Sequence, residues 1–178
     1  MSTGKRVDRL RNDERILRVA ARLLACDPNA SMQAIADTAG VVRRTVYRRY
    51  PTREALVTAL TTAAHTAATA AVETFPGWRD GPDALRVLVA ALIDFAIRFP
   101  VAVLEHDPVA GTPVDARIAE ILGEGAKAGV LRVDLDPALL NGMLFGAVST
   151  TARLHPDGDP RQLADGVVEL LLDGIRPR

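Results

Sequence analysis

The chain is poor in what catalytic, disulfide-stapled and membrane-spanning proteins need. It has one cysteine in 178 residues, so an intramolecular disulfide is impossible, and Cys26 reads as a small buried apolar residue closing the first helix rather than a redox sensor. There are three histidines, His65, His106 and His155, widely separated in sequence. No HExxH, phosphate-loop, nucleophile-elbow or paired-cysteine pattern occurs. Glu105-His106-Asp107 is the one local cluster that invites a metal. It lacks a second histidine at ligand spacing and reads as a solvent-facing helix end, so a metal-dependent hydrolase built on Glu105 and His106 is the weaker alternative. No enzyme activity, metal or cofactor is expected. Hydrophobic residues make up 48% of the chain, yet no uninterrupted apolar run approaches about 20 residues, which argues a soluble globular protein without a membrane partner. The opening MSTGKRVDRLRNDERIL has no apolar core of a secretion signal, so cytoplasmic residence is expected.

Net charge is also absent, but only on average. Residues 1–60 carry 12 Lys+Arg against 6 Asp+Glu, whereas residues 61–178 carry 10 against 16. One end of the molecule is suited to a polyanion and the other is not.

The basic part contains Ser31 to Tyr50, SMQAIADTAGVVRRTVYRRY. Apolar spacing predicts a helix over 31–38, a turn at Ala39-Gly40-Val41 and a second helix over 42–50. Ala36 lets a second helix cross closely, and Gly40 can take the positive φ of a tight inter-helix turn. Ile35, Val41, Val46 and Tyr50 supply the inner face. Arg44, Thr45, Arg48 and Arg49 spread over the outer face, with Arg43 at the helix start. A charge run alone is usually a solvated helix face. Here it coincides with turn chemistry and a compact inner face, the pattern of a helix-turn-helix whose second helix enters the major groove of double-stranded DNA. Arg43, Arg44, Tyr47 and Gln33 are the expected base contacts, because arginine's fork matches guanine O6 and N7. Thr45, Arg48, Arg49 and Arg53 are the expected phosphate contacts.

These residues resemble the TetR family of bacterial transcriptional regulators, over ERILRVAARLLA (Glu14 to Ala25) and SMQAIADTAGVVRRTVYRRYPTREALVTAL (Ser31 to Leu60). After its turn that family typically reads Gly-Val-Ser-x-x-Thr-Leu-Tyr-x-x-Phe, with a Lys near the start of the next helix. This chain has Gly40, Val41, Val42, Thr45, Val46, Tyr47, Tyr50 and Arg53 at those places. Val42 in place of Ser removes a helix-capping oxygen. The resemblance implies a homodimeric regulator, most often a repressor. It further implies a basic N-terminal arm that can add phosphate or minor-groove contacts, a fourth helix acting as connector, and an effector pocket among later helices.

The remaining elements follow from punctuation. Residues 1–12 read as a loose arm, and the first helix over 13–26 carries Ile16, Ala20, Leu23 and Leu24. Pro51-Thr52 ends the recognition helix and caps a fourth helix reaching about residue 74, rich in Ala and Thr (ALTTAAHTAATAAV). FPGWRDGPD is a boundary. Helices are expected over 83–99, 101–106 and 114–128, the last stopped by Gly129. Asp136-Pro137 and Asp159-Pro160 open two more, over 137–154 and 160–173.

The fold is therefore expected to be all-α: an N-terminal three-helix helix-turn-helix domain (1–51) joined to a C-terminal helical bundle (52–178). Gly142 and Gly146 leave room for a close helix, and with Leu163, Val167 and Leu170 they form the expected homodimer face. Two reading helices on one palindrome also require a dimer. Phe95, Phe99, Ile118, Leu122 and Met143, with Phe145 nearby, are candidate contacts for a small apolar or amphipathic effector, although such residues are more often plain core. A DNA-binding dimer with no effector is the alternative.

Overall fold

The structure, a computed structural model, describes the backbone of residues 3–104, 106, 111–132, 134 and 136–175, and among these the side chains from residue 12 to residue 172. Among the described residues there are no strands. The helices are α1 (Thr3–Cys26), α2 (Met32–Thr38), α3 (Arg43–Arg49), α4 (Arg53–Glu73), α5 (Ala84–Arg98), α6 (Pro100–Leu104), α7 (Pro113–Lys127), α8 (Pro137–Leu154) and α9 (Pro160–Ile175). A 3₁₀ segment, Trp78–Asp83, precedes α5.

The chain divides into two compact units. The first is residues 1–65 with 98–104, and the second is residues 66–97 with 105–178. In the first, Ile16 and Ala20 of α1, Ile35 and Ala36 of α2, Val46 of α3, Tyr50 just after it, and Leu56 of α4 form one buried cluster. The helix-turn-helix is thus held from behind by α1 and the start of α4, and α6 also packs along α1. In the second unit α8 packs against both α7 and α9. Its core includes Leu88 and Ile93 of α5, Ile121 of α7, Leu144 of α8 and Val168 of α9. Trp78 docks here too: its indole Nε1 donates to the Ile121 carbonyl at 2.9 Å, and a Cβ on Gly125 would meet its ring at 2.5 Å. Only glycine lets the ring lie that close to α7.

Local signals set most helix ends. The Ser31 and Thr52 hydroxyls accept from Ala34 and Ala55 N–H, each at 3.1 Å. Asp136 accepts from Ala138, and Asp159 from Arg161 and Gln162. Two expectations are corrected. The arm is helical from Thr3: with nucleation already met downstream, Lys5, Arg6, Arg9, Leu10 and Arg11 extend the helix at little cost, against the weaker helix formers Gly4, Val7 and Asp8. Cys26 is exposed, since it lies about 200° around the helix from buried Leu24. By length and composition α4 would also pass for a membrane span, but Leu56, Leu60, Ala64, Ala71 and Val72 on it are buried in protein.

Candidate nucleic-acid interface

The turn between α2 and α3 is a Schellman motif. Gly40 has φ 61°, its N–H reaches the Asp37 carbonyl at 3.1 Å, and the Val41 N–H reaches the Ala36 carbonyl at 3.0 Å. Val46 and Tyr50 then anchor α3 inward. Burial raises the pKa of the Tyr50 phenol, and neighbouring Arg49 pulls it partly back. Val42 is 75% exposed and offers no side-chain cap, as expected from the missing Ser; its carbonyl accepts from Thr45 N–H at 2.7 Å. At seven residues α3 is about 10 Å long, short enough to lie within a major groove.

Its outward side chains fall into two sets. Arg44 and Arg48 are exposed and make no hydrogen bond or ion pair among the described residues. Arg43 is stacked over the Tyr47 ring, 4.9 Å from its centroid, and donates to the Tyr47 hydroxyl at 3.3 Å. The pair is preorganised, and the guanidinium keeps further donors for a base or phosphate. Thr45 is half-buried beside them. On α2 the amide of exposed Gln33 donates to Asp37 at 2.7 Å, which leaves its carbonyl oxygen free of that bond as an acceptor.

The other two expected phosphate contacts are engaged within the head. Arg49 forms a two-bond ion pair with Asp13 of α1, its Nε lying 2.7 Å from Oδ1 and its Nη2 bonding Oδ2. Arg53 donates to the carbonyls of Ala30, at 2.5 Å, and Pro28, tying the loop before α2 to the start of α4. The first turn of α4 is also occupied. Its backbone N–H and the Thr52 hydroxyl bond the Glu54 carboxylate and hold its pKa below the usual range.

A basic helix-turn-helix face with this support has known counterparts. Residues 16–60 match the sequence profile of bacterial regulatory proteins of the tetR family. Over 176 residues, 94% of this chain and 92% of the relative, the sequence is 30% identical to the HTH-type transcriptional repressor LfrR of Mycolicibacterium smegmatis. The chain belongs to the TetR family. The crystal structure of LfrR superposes with a TM-score of 0.71 at 28% identity, covering 96% of this chain and 99% of that one. For the TetR-family regulator PfmR of Thermus thermophilus the TM-score is 0.67 at 21% identity, over 89% and 97% of the two chains, a likeness of fold. This TetR-family chain is a DNA-binding transcriptional regulator and not an enzyme.

Elsewhere in the regulator, the residues expected at the dimer face lie on a second apolar stripe. On α9 the buried positions are Ala164, Val168 and Leu172, while Leu163 and Val167 are half-buried and Leu170 is 77% exposed. On α8 the buried positions are Leu140, Asn141, Leu144, Val148 and Ala152, while Leu139 and Met143 are about half exposed. A Cβ added at Gly142 or Gly146 would meet nothing within 4 Å.

The expected effector residues fall in both compact units. Phe99 belongs to the first unit, where Arg98 lies over its ring, and Phe95, Ile118, Leu122 and Met143 belong to the second. Ile118 and Leu122 are buried, and Phe95 is partly so. An open groove of about 690 Å³ lies at the α5–α9 surface, floored by Val87, Ala90 and Ala91 and rimmed by Arg86, Asp94, Asp159, Arg161 and Asp165.

His106 is not a solvent-facing helix end. Its Nε2 lies 3.1 Å from Oδ1 of buried Asp115, and its ring packs 4.8 Å from Phe145. Asp115 forms a capping box with Thr112 and approaches Asn141 Nδ2 at 3.5 Å. Burial acts to raise the Asp115 pKa, but the Thr112 hydroxyl and amide, His106 and Asn141 more than offset it, so the carboxyl titrates below its ordinary range. A buried carboxylate needs such donors, which is why the histidine turns inward. Glu105 and Asp107 lie outside the described residues; among those described, no three His, Cys, Asp or Glu side chains are grouped to hold a metal.

Sequence reading missed Asp13, Asp37 and Asp115. The Gln33-to-Asp37 spacing of four on one helix is a detectable signal. Asp13 and Arg49 are 36 residues apart, and nothing local announces their pairing.

Proposed function

We propose that the protein is a repressor that binds a palindromic operator as a homodimer and releases it when a small apolar or amphipathic effector binds. The observation that carries this reading is the outer face of α3: open Arg44 and Arg48 beside the stacked Arg43–Tyr47 pair, all on a helix anchored by buried Val46 and Tyr50. Arg43, Arg44, Tyr47 and Gln33 read bases, and Arg48 and Thr45 hold phosphates. For Arg49 and Arg53 a phosphate role would require giving up the bonds they make within the head.

Dimerisation is supported by the outward stripe of Leu139, Met143, Leu163, Val167 and Leu170, with Gly142 and Gly146 allowing a partner helix to approach. The two-fold symmetry that pairs α8 and α9 with their copies sets the distance between the two reading helices. Effector response is supported by the relative LfrR, which has been solved in complex with proflavine. The groove on the second unit, with an apolar floor and charges of both signs on its rim, suits an amphipathic molecule. Its coupling to DNA runs through α4, whose residues pass from the first unit into the second. A ligand favouring a spacing that the operator does not accept lowers DNA affinity by linkage.

Light scattering of the purified chain, alone and on an operator duplex, tests the assembly: two chains alone and two per two-half-site duplex are expected. A thermal-shift screen against metabolites and proflavine, followed by operator release measured by fluorescence anisotropy, tests the response. Stabilising compounds should also release DNA. A dimer that no compound stabilises or releases would favour the effector-free reading.

A further inference from the structure

The pair formed by Asp13 and Arg49 has a use beyond holding two helices together. Arg49 stands at the C-terminal end of the recognition helix and remains 44% exposed, while Asp13 is only 17% exposed. Asp13 binds the guanidinium through two of its nitrogens, the fork geometry by which arginine grips a phosphate. On a face where Arg44 and Arg48 are left open, a carboxylate thus takes up the fork of one arginine. Two consequences follow from the chemistry. The pair fixes α3 against α1 at the end opposite Arg43 and Arg44, and it withholds one cation from the sequence-independent contacts that raise affinity for any duplex.

We infer that Asp13 is a positioning residue for DNA reading, which keeps Arg49 off the phosphate backbone and so favours the operator over random sequence. The inference rests on the reading of this chain as a sequence-specific DNA binder. The pair persists in the DNA complex, so the gain is in discrimination and not in total affinity.

The test is a double-mutant cycle on the full-length chain, with Asp13→Asn made in the wild-type and Arg49→Ala backgrounds. Affinities for an operator duplex and a random duplex are measured against salt concentration. In the wild-type background Asp13→Asn should steepen the log–log salt dependence of the dimer on random DNA by about two, the equivalent of one added phosphate contact from each protomer. At 0.1 M salt that amounts to a gain of up to roughly 60-fold in random-duplex affinity. Operator affinity should not rise with it, so the operator-to-random ratio falls by a comparable factor. In the Arg49→Ala background the same substitution should leave the slope unchanged, which separates a freed Arg49 from the mere removal of a negative charge. Asp13→Glu, which can rebuild the pair, should return slope and ratio toward wild type.

Melting curves followed by circular dichroism establish that each variant is folded, and Asp13→Asn is nearly isosteric with the original. Equal losses on both duplexes with an unchanged slope would overturn the inference and leave the pair a structural tie. So would a steeper slope that persists without Arg49. A wild-type chain with no preference for any duplex would instead sink the operator-binding reading on which the inference stands.

Discussion

Two exposed faces of this regulator differ in kind. The outer face of α3 is cationic, presented on a short helix whose inner residues are buried, and its polar groups are partly pre-tied to their neighbours. The outer face of α8 and α9 is apolar, with Leu139, Met143 and Leu170 open and two glycines leaving flat backbone between them. A cationic face acts at a distance and is weakened by salt. An apolar face acts only on contact and is nearly indifferent to salt. Exposure alone does not identify a functional surface; the chemistry of what is exposed selects the partner.

Salt should separate the two faces most widely. Raising it from 50 to 200 mM should weaken operator binding by on the order of 10³, if each dimer contacts six or more phosphates. Sedimentation of the chain alone should show dimerisation nearly unchanged. A dimer that dissociates in parallel with the DNA complex would break the comparison.

Met143→Glu should act in the reverse order. In the proposed dimer, two-fold symmetry would place the new carboxylate in the interface twice, and unpaired buried charge costs several kcal/mol. Sedimentation should show monomers, and operator affinity should fall by at least about 100-fold because one reading helix buries little DNA surface. Arg44→Ala leaves the dimer intact and should weaken operator binding by about 1–3 kcal/mol, concentrated at particular base pairs, with a much smaller loss on random duplex. Equal losses on all sequences would reassign Arg44 to the phosphates.

The smallest expected effect is at Val42. Val42→Ser would supply the missing N-cap and should stabilise the head by about 0.5–1 kcal/mol, read as a rise of a few degrees in Tm, provided the hydroxyl reaches the Thr45 N–H. An unchanged Tm would mean that the backbone turn at Val42 already satisfies the helix start.

The legible parts of this molecule were those written in neighbouring residues. Ser31, Gly40, Thr52, Asp136-Pro137 and Asp159-Pro160 act on atoms a few positions away, and each punctuates the fold where its chemistry requires. The basic face of α3 was equally legible, because helical spacing alone separates Val46 and Tyr50 from the arginines. On α9 spacing was ambiguous: Leu163, Val167 and Leu170 and the buried set Ala164, Val168 and Leu172 both repeat at helical period. A helix apolar on two faces does not say which face belongs to its own chain. Pairs closed by tertiary structure, Arg49 with Asp13 and His106 with Asp115, had no local trace. They changed the reading of individual residues without changing that of the surface.

The central claim, that two copies of α3 read a two-fold site, is tested most directly by selecting duplexes bound by the purified full-length chain from a random pool and sequencing them. An inverted repeat whose half-sites are spaced by about one helical turn, or a multiple of it, is the predicted result, with Arg44→Ala relaxing the same position in both halves. Enrichment of no sequence, or of a lone half-site without symmetry, would contradict it.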